Sequence, residues 1–582
     1  MKNLSFPLAV CMFCAAFMLS CGGDDTATLK INIGLPRGVS AAPTHDGFID
    51  RVLGFFVTPA YAQTAPEDVT AIGITVTGPN MVPFDKTFPA DTTVLTLAID
   101  AGKKRRIAVR GIDNTGRPKY IGSRVVNLEA GSMRTVRIDM GENLHIIDIN
   151  PDSEAGSSPS GMTLYKNKVY FQGTTTATGA ELWAYDLDTD TASLAADIRN
   201  VENASSSPTQ LTVFNGKLYF SANDGTGHNL WSYDGTSDPV QVSNFTMTYE
   251  QPLGELTVIG DRLFFSAHDT GSTQTTAYYY TEADGVVEMQ YSGASLHNDG
   301  YEFGFTAFGD AVCFGAYDGT NVGDCELFVY IFELGNAVKY DVYPNELPDI
   351  YPSHPHDFVA LNDVLYFAAT DNLFGTDFHR LYGAYGDWLQ GAINIGGEIE
   401  SNPSKLTVVG NFVYFSAQGN DANYELWRFN SLLPVLDGVN PSSIEIYDGS
   451  TGSNPSSLLA VGPVLFFAAT DASYGTSLWF HNSINGTTQP ISNLGETGMF
   501  FSSLIRAGIN LVFKAGSDGD DLWVYDPLSA ARDIDPAWNP YPIKPNPEGV
   551  SNPGDVLAVG NRLFFNARGS QSVYELWTYE IY

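Results

Sequence analysis

The sequence predicts an all-β protein: a small N-terminal β-sandwich followed by a closed β-propeller of about nine four-stranded blades, with an eight-bladed ring and one displaced unit as the alternative. Three observations predict it. An aromatic strand recurs nine times from Phe171 to Phe565, at a mean spacing of about 49 residues. The chain before that array alternates apolar and polar residues in short runs. The acidic excess begins where the array begins. Residues 21–142 carry 14 basic and 13 acidic side chains, whereas 143–582 carry 15 basic and 53 acidic ones, out of totals of 30 and 66. A shift that sharp marks a domain boundary near residue 142.

With 43% hydrophobic and 16% charged residues among 582, the chain is too apolar for disorder. A net charge of −36 excludes bulk-charge binding to nucleic acid or anionic lipid.

Residues 1–20 read as a secretory signal: Lys2, then an apolar run from Phe6 to Leu19 that is too short to span a bilayer. The segment Met18-Leu19-Ser20-Cys21-Gly22-Gly23 is similar to the lipobox of bacterial lipoproteins. That resemblance implies cleavage before Cys21, acylation of its sulfur, and a lipidated tether over 21–27. Gly22, rather than Asp, fits delivery to the outer membrane. The expected address is therefore the bacterial cell envelope, with the membrane as a partner through lipid alone.

Residues 28–142 alternate as half-buried strands do, at Leu29/Ile31/Ile33, Ile72/Ile74/Val76, Ile107/Val109 and Val136/Ile138/Met140. The runs suggest an immunoglobulin-like or prealbumin-like sandwich. The basic run Lys103–Arg106 sits between two strands and reads as a solvated hairpin end.

Each unit of the 143–582 array has one internal order. A short strand opens at a proline (Ser207-Pro208-Thr209), an aromatic strand follows (Lys217–Ala222), a third strand carries Leu-Trp (Leu230-Trp231), and a fourth strand alternates. Glu181-Leu182-Trp183-Ala184-Tyr185-Asp186, Glu425-Leu426-Trp427 and Glu575-Leu576-Trp577 resemble the ELWxxDGT repeat of bacterial surface and secreted proteins. The resemblance covers about three quarters of the chain and implies repeat architecture, with no activity attached. The last unit ends after its third strand, and residues 143–149 alternate as a fourth strand should. They are expected to complete the last blade and close the ring, removing exposed sheet edges.

Candidate functional residues are few. Cys313 and Cys325 flank a turn-rich loop, so a disulfide is expected in an oxidising compartment, two free thiols being the alternative. Asp186, Asp188 and Asp190 alternate as calcium ligands do, yet Thr191 replaces the glycine a calcium loop needs, and a solvated acidic hairpin is the plainer reading. Calcium stays a possible cofactor on so acidic a domain. His354-Pro355-His356 is the one His-x-His. The polar residues before the strand-opening prolines, namely Ser207, Gln251, His354, Asn402, Asn454 and Asn552, are expected to form a polar ring at a channel mouth. No nucleophile elbow, Walker loop or zinc-helix motif occurs in the mature chain.

These features predict a noncatalytic, lipid-anchored envelope protein that binds a protein or glycan through its acidic propeller. The alternative is an envelope hydrolase or lyase acting on carbohydrate or phosphoester at the channel mouth. Two carboxylates and a histidine at that mouth would favour the enzyme.

Overall fold

The structure is a computed structural model. It describes residues 26–34 and 68–581 except 115–117, 151–154, 246–250, 269–273, 299–302, 320–324, 341, 343–351, 374–375, 386–387, 394, 396–399, 420–422, 433–440, 448–451, 492–499, 517–520, 528–539, 546–550 and 570–572. The signal, Cys21 and most of its tether lie outside the described residues. The chain divides into two compact units, with one boundary between His145 and Ile146.

In the first unit the period-two runs become strands. Thr26–Gly34 pairs antiparallel with Val94–Asp100 and parallel with Met133–Asp139. A second sheet orders Phe84–Pro89, Val69–Thr77, Gly102–Asp113, Pro118–Leu128 and Gly141–Glu142. The inward sets Leu29/Ile31, Ile72/Ile74/Val76 and Ile107/Val109 meet in one core, so the two sheets form a sandwich. One residue of the basic run departs from a solvated hairpin end. Arg105 is buried, and its guanidinium donates to the carbonyls of Asp100, Pro79 and Ala101. It acts as a three-way clamp on chain reversals.

The second unit is propeller-like. Its described residues form nine successive sheets, numbered here one to nine: 160–196, 209–241, 257–288, 306–340, 356–393, 404–444, 456–490, 500–543 and 556–580. Each is an antiparallel meander in chain order. The ninth takes its fourth strand, Leu144–Ile147, from upstream of sheet one.

The second strand of each sheet is apolar on both faces, as in Lys217–Asn223, because a neighbouring sheet covers each face. Tyr170 and Leu182 of sheet one share a core with Leu218 and Phe220 of sheet two. Val169, Phe171 and Tyr185 of sheet one share another with Phe564 and Leu576 of sheet nine, Tyr185 meeting Phe564 edge-on at 5.3 Å. The first strands of consecutive sheets adjoin: Ser160–Tyr165 lies beside both Thr209–Phe214 and Val556–Val559.

Candidate binding cavity and the seams around it

Three local rules build the seams between sheets. The first concerns the motif glutamate. Glu181 is fully buried at the start of its Leu-Trp strand, and it accepts the Ser206 backbone N–H at 2.8 Å and the Ser206 hydroxyl at 2.6 Å. Ser206 opens sheet two, so the carboxylate clasps one sheet to the next. Glu326 repeats the arrangement on the Ser353 hydroxyl at 2.7 Å, and Glu425 on the Ser453 N–H at 2.8 Å and its hydroxyl. Glu575 of sheet nine accepts the N–H of Ser157 at 3.3 Å and its hydroxyl, ahead of sheet one. Asp521 accepts the Ser551 N–H at 3.3 Å and also faces the Lys544 ammonium at 3.7 Å. Burial pushes the carboxyls of Glu181, Glu425 and Glu575 up from their ordinary value, and the serine hydrogen bonds pull the other way.

The second rule explains the serine-x-proline signature. The serine is buried, and the next residue has a left-handed backbone: φ is 48° at Ser207, 42° at His354, 43° at Asn402, 47° at Asn454 and 46° at Asn552. Asn and other short polar residues tolerate this region best. The polar character of these positions is therefore explained by backbone conformation. Gln251 does not belong with them. Gly254, not a residue beside Pro252, bonds Ser266 in the register that Thr209 takes with Ser221, so the third unit's proline comes one residue early.

The third rule places a bulge in the first strand. Register shifts at Ser160/Thr163, Thr209/Thr212, His356/Val359 and Ser404/Thr407 coincide with positive φ at Gly161, Gln210, Asp357 and Lys405. A bulge re-aims a side chain out of the ladder.

The bulges at Gly161 and Gln210 line a cavity of about 610 Å³. Its walls are the first strands of sheets nine, one and two and the approach to the first strand of sheet three, including Ser160, Gly161, Thr163, Thr209, Gln210, Thr212, Glu255 and Asp555. Asp555 accepts the Gly161 N–H at 2.7 Å. Two carboxylates and several hydroxyls face this space, and no histidine lines it. Ser207, Gln251 and Asn552, the residues before the prolines of the units that wall this cavity, are not among its lining.

Other predicted site residues are placed elsewhere. His356 turns its Nδ1 to the His354 carbonyl at 2.9 Å. In the acidic turn the three carboxylates are placed apart in their bonding. Asp186 accepts the N–H groups of Asp188 and Thr189 and pairs with Lys168 at 3.1 Å, whereas Asp190 takes the Tyr185 hydroxyl at 2.9 Å and Arg562 at 2.6 Å. The carboxylates serve a turn and two different partners. Among the described residues no group of three or more His, Cys, Asp or Glu is placed to hold a metal ion.

The disulfide expectation is corrected: Cys313 and Cys325 are two buried thiols. In their hairpin Cys313 pairs with Val329 and Ala316 with Glu326, leaving Cys325 about four residues along the ladder from Cys313. At about 3.3 Å per residue that is roughly 13 Å, beyond the ~7 Å that a disulfide bridges. Burial raises the Cys313 thiol to about 12.

No protein-family model and no curated protein matches the sequence. Among solved structures it is similar over 56% of its length to a puromycin-hydrolyzing peptidase of Mycobacterium tuberculosis, at 13% identity, TM-score 0.37 and 51% of that chain. It is similar over 58% to the β-propeller domain of the Trilobed protease from Pyrococcus furiosus, at 11% identity, TM-score 0.30 and 96% of that chain. A post-proline cleaving enzyme from Rickettsia typhi matches over 62%, at 10% identity, TM-score 0.37 and 58% of that chain. The chain spans about half the length of the two peptidases. Each is a partial likeness in fold.

Proposed function

We propose that the chain is a noncatalytic binding protein of the bacterial cell envelope, anchored through lipid at Cys21, whose second unit is a nine-bladed closed ring that takes a glycan or a protein surface at its central cavity. The observation that carries the reading is the cavity lining. Hydroxyls from Ser160, Thr163, Thr209 and Thr212, the Gln210 amide and the carboxylates of Glu255 and Asp555 present many donors and acceptors to a polar ligand, and no histidine lies among them. Ring closure is supported by the core shared by sheets nine and one, by the Glu575–Ser157 clasp and by the upstream origin of the ninth sheet's last strand. Walls made largely of paired strands suit recognition, because little ordering remains to be done on binding.

The test is a glycan array read with the full-length chain and with the double variant Gln210→Gly/Asp555→Asn. Glycine keeps the left-handed backbone of Gln210, so the fold is preserved. Glycans bound by the parent chain are expected to lose at least tenfold in affinity in the variant. Unchanged affinity would remove the cavity from the account, and release of a cleaved product would turn the reading to the hydrolase or lyase.

A further inference from the structure

One seam carries an insertion as well as a lost clasp. Between sheets three and four the motif glutamate is replaced by Thr276, whose hydroxyl meets His297 Nδ1 at 3.0 Å. Two short strands, Gln290–Tyr291 and Ala294–Ser295, form an extra hairpin, and His297–Asn298 adds a fifth strand beside Thr275–Thr276. No other sheet of the second unit carries such an addition among the described residues. At this seam lies a second cavity, of about 210 Å³, lined by Pro252, Gly254, Glu255, Thr257, Ser266, His268, Thr275, Phe303, Gly304 and Phe305.

We infer that this seam cavity is a binding subsite for a single pyranose unit of a glycan, an inference that rests on the glycan side of the function proposed above. Its chemistry is that of a sugar site. Among the described residues Glu255 has no hydrogen-bond or ion-pair partner, and it offers two acceptor oxygens, the number that a pair of vicinal hydroxyls can fill. Ser266, Thr257 and Thr275 bring hydroxyls that both donate and accept. His268 Nδ1 is shielded from solvent and has no partner among the described residues, a state that costs free energy until a ligand supplies one. Phe305 is half-buried against Phe303, with the two rings parallel at 5.3 Å, and forms an apolar wall for a sugar's C–H face.

Backbone geometry keeps the space open. A Cβ at Gly254 would stand 2.1 Å from Ser266 Oγ, so the position filled by Thr209 in sheet two has to be bare here. Glu255 lines both cavities, so the subsite opens toward the central one and would hold one unit of a chain that continues there. A volume of this size takes one ring and little more.

Saturation-transfer NMR on the full-length chain tests the inference with D-glucose, D-galactose, D-mannose, N-acetyl-D-glucosamine and, as a cation of similar size, choline. At least one sugar is expected to bind saturably, with affinity falling tenfold or more in both E255Q and H268A while thermal melting is unchanged. Among the described residues Glu255 and His268 have no partner to lose, so both variants should fold. Q210G, which alters only the central cavity, should leave monosaccharide binding intact. Sugar binding lost in Q210G but kept in H268A would place the sugar in the central cavity, overturning the subsite and sparing the function proposed above. Binding of choline alone would make the seam a cation pocket, and no binding by any probe would overturn the subsite outright. The array result would then decide the wider reading separately.

Discussion

The seam between sheets one and two and the seam between sheets three and four are built from the same repeat and differ in one decision. In the first, buried Glu181 fills both of its oxygens with donors from Ser206 and Ile198, and Leu218 and Phe220 close the space behind it. In the second, Thr276 cannot span the gap, an inserted hairpin occupies the seam, and a cavity remains with Glu255 and His268 unpartnered among the described residues. A repeat whose every seam is clasped is a scaffold and nothing more. The seam between sheets three and four is where the lost clasp is accompanied by an inserted hairpin and a cavity that retains polar groups.

The largest expected effect comes from breaking a clasp. Glu575→Ala leaves the buried N–H and hydroxyl of Ser157 without acceptors. At roughly 1–3 kcal/mol for each orphaned group, the loss is about 4 kcal/mol, read as a lower urea midpoint. Glu181→Ala should cost a similar amount locally. Only Glu575→Ala, which unties the last sheet from the first, should also lower the cooperativity of unfolding. Ser477→Ala is the control. This residue takes the glutamate's place in sheet seven, its buried hydroxyl has no hydrogen-bond partner, and removing it should cost less than about 0.5 kcal/mol. Equal losses at Glu181 and Ser477 would mean that the clasp does not distinguish the seams.

A second effect concerns acid. His481, buried at the sheet six–seven seam, donates or accepts at Nδ1 with the Thr488 hydroxyl at 2.8 Å. Burial first, and then the nearby Arg428 charge, lower its pKa to about 4. A depressed histidine stabilises the fold fully above its unfolded value of about 6.5 and loses that contribution as pH falls from there toward 4. The loss amounts to about 3 kcal/mol. The clasp glutamates have the opposite sign. Their raised pKa values favour the fold below the unfolded value, and that contribution fades as pH rises through the folded one. His481→Phe should therefore gain stability relative to the parent between pH 6.5 and 4 in urea melts. A parallel offset at every pH would show that His481 titrates alike in the folded and unfolded chain.

The sequence made some of this legible and hid the rest for physical reasons. Strands packed on both faces announce themselves as apolar runs such as Leu218–Phe220, and their spacing carries the repeat. The clasp joins residues 25 apart at Glu181–Ser206, 28 apart at Glu425–Ser453 and 418 apart at Ser157–Glu575, so no local pattern exposes it. The conjunction of a motif glutamate with a serine two residues before each proline was the available signal. Bulges were hidden because Gln210 and Lys405 are not residues that advertise a left-handed backbone. Gln251 was misplaced because the third unit's proline slipped by one residue, and in a strand one residue exchanges the two faces. The seam cavity depends on insertions that a period of about 49 residues averages away.

The smallest effect separates backbone from ligand at the residues before the prolines. If Asn454 is asparagine because φ is 47°, glycine should serve equally well there, and valine should not. A β-branched residue in the left-handed region costs about 1–2 kcal/mol, while Asn454→Gly should stay within about 0.5 kcal/mol, the lost Asn454 contact to the Gly452 carbonyl at 3.3 Å being long and partly exposed. Glycan binding should be the same in both variants once they are folded, because the cavity is walled by the bulge residues and not by Asn454. Binding that falls in Asn454→Gly with stability intact would restore the polar ring as a recognition surface. The seam between sheets three and four would then be one contributor among several rather than the place where the array departs from pure scaffold.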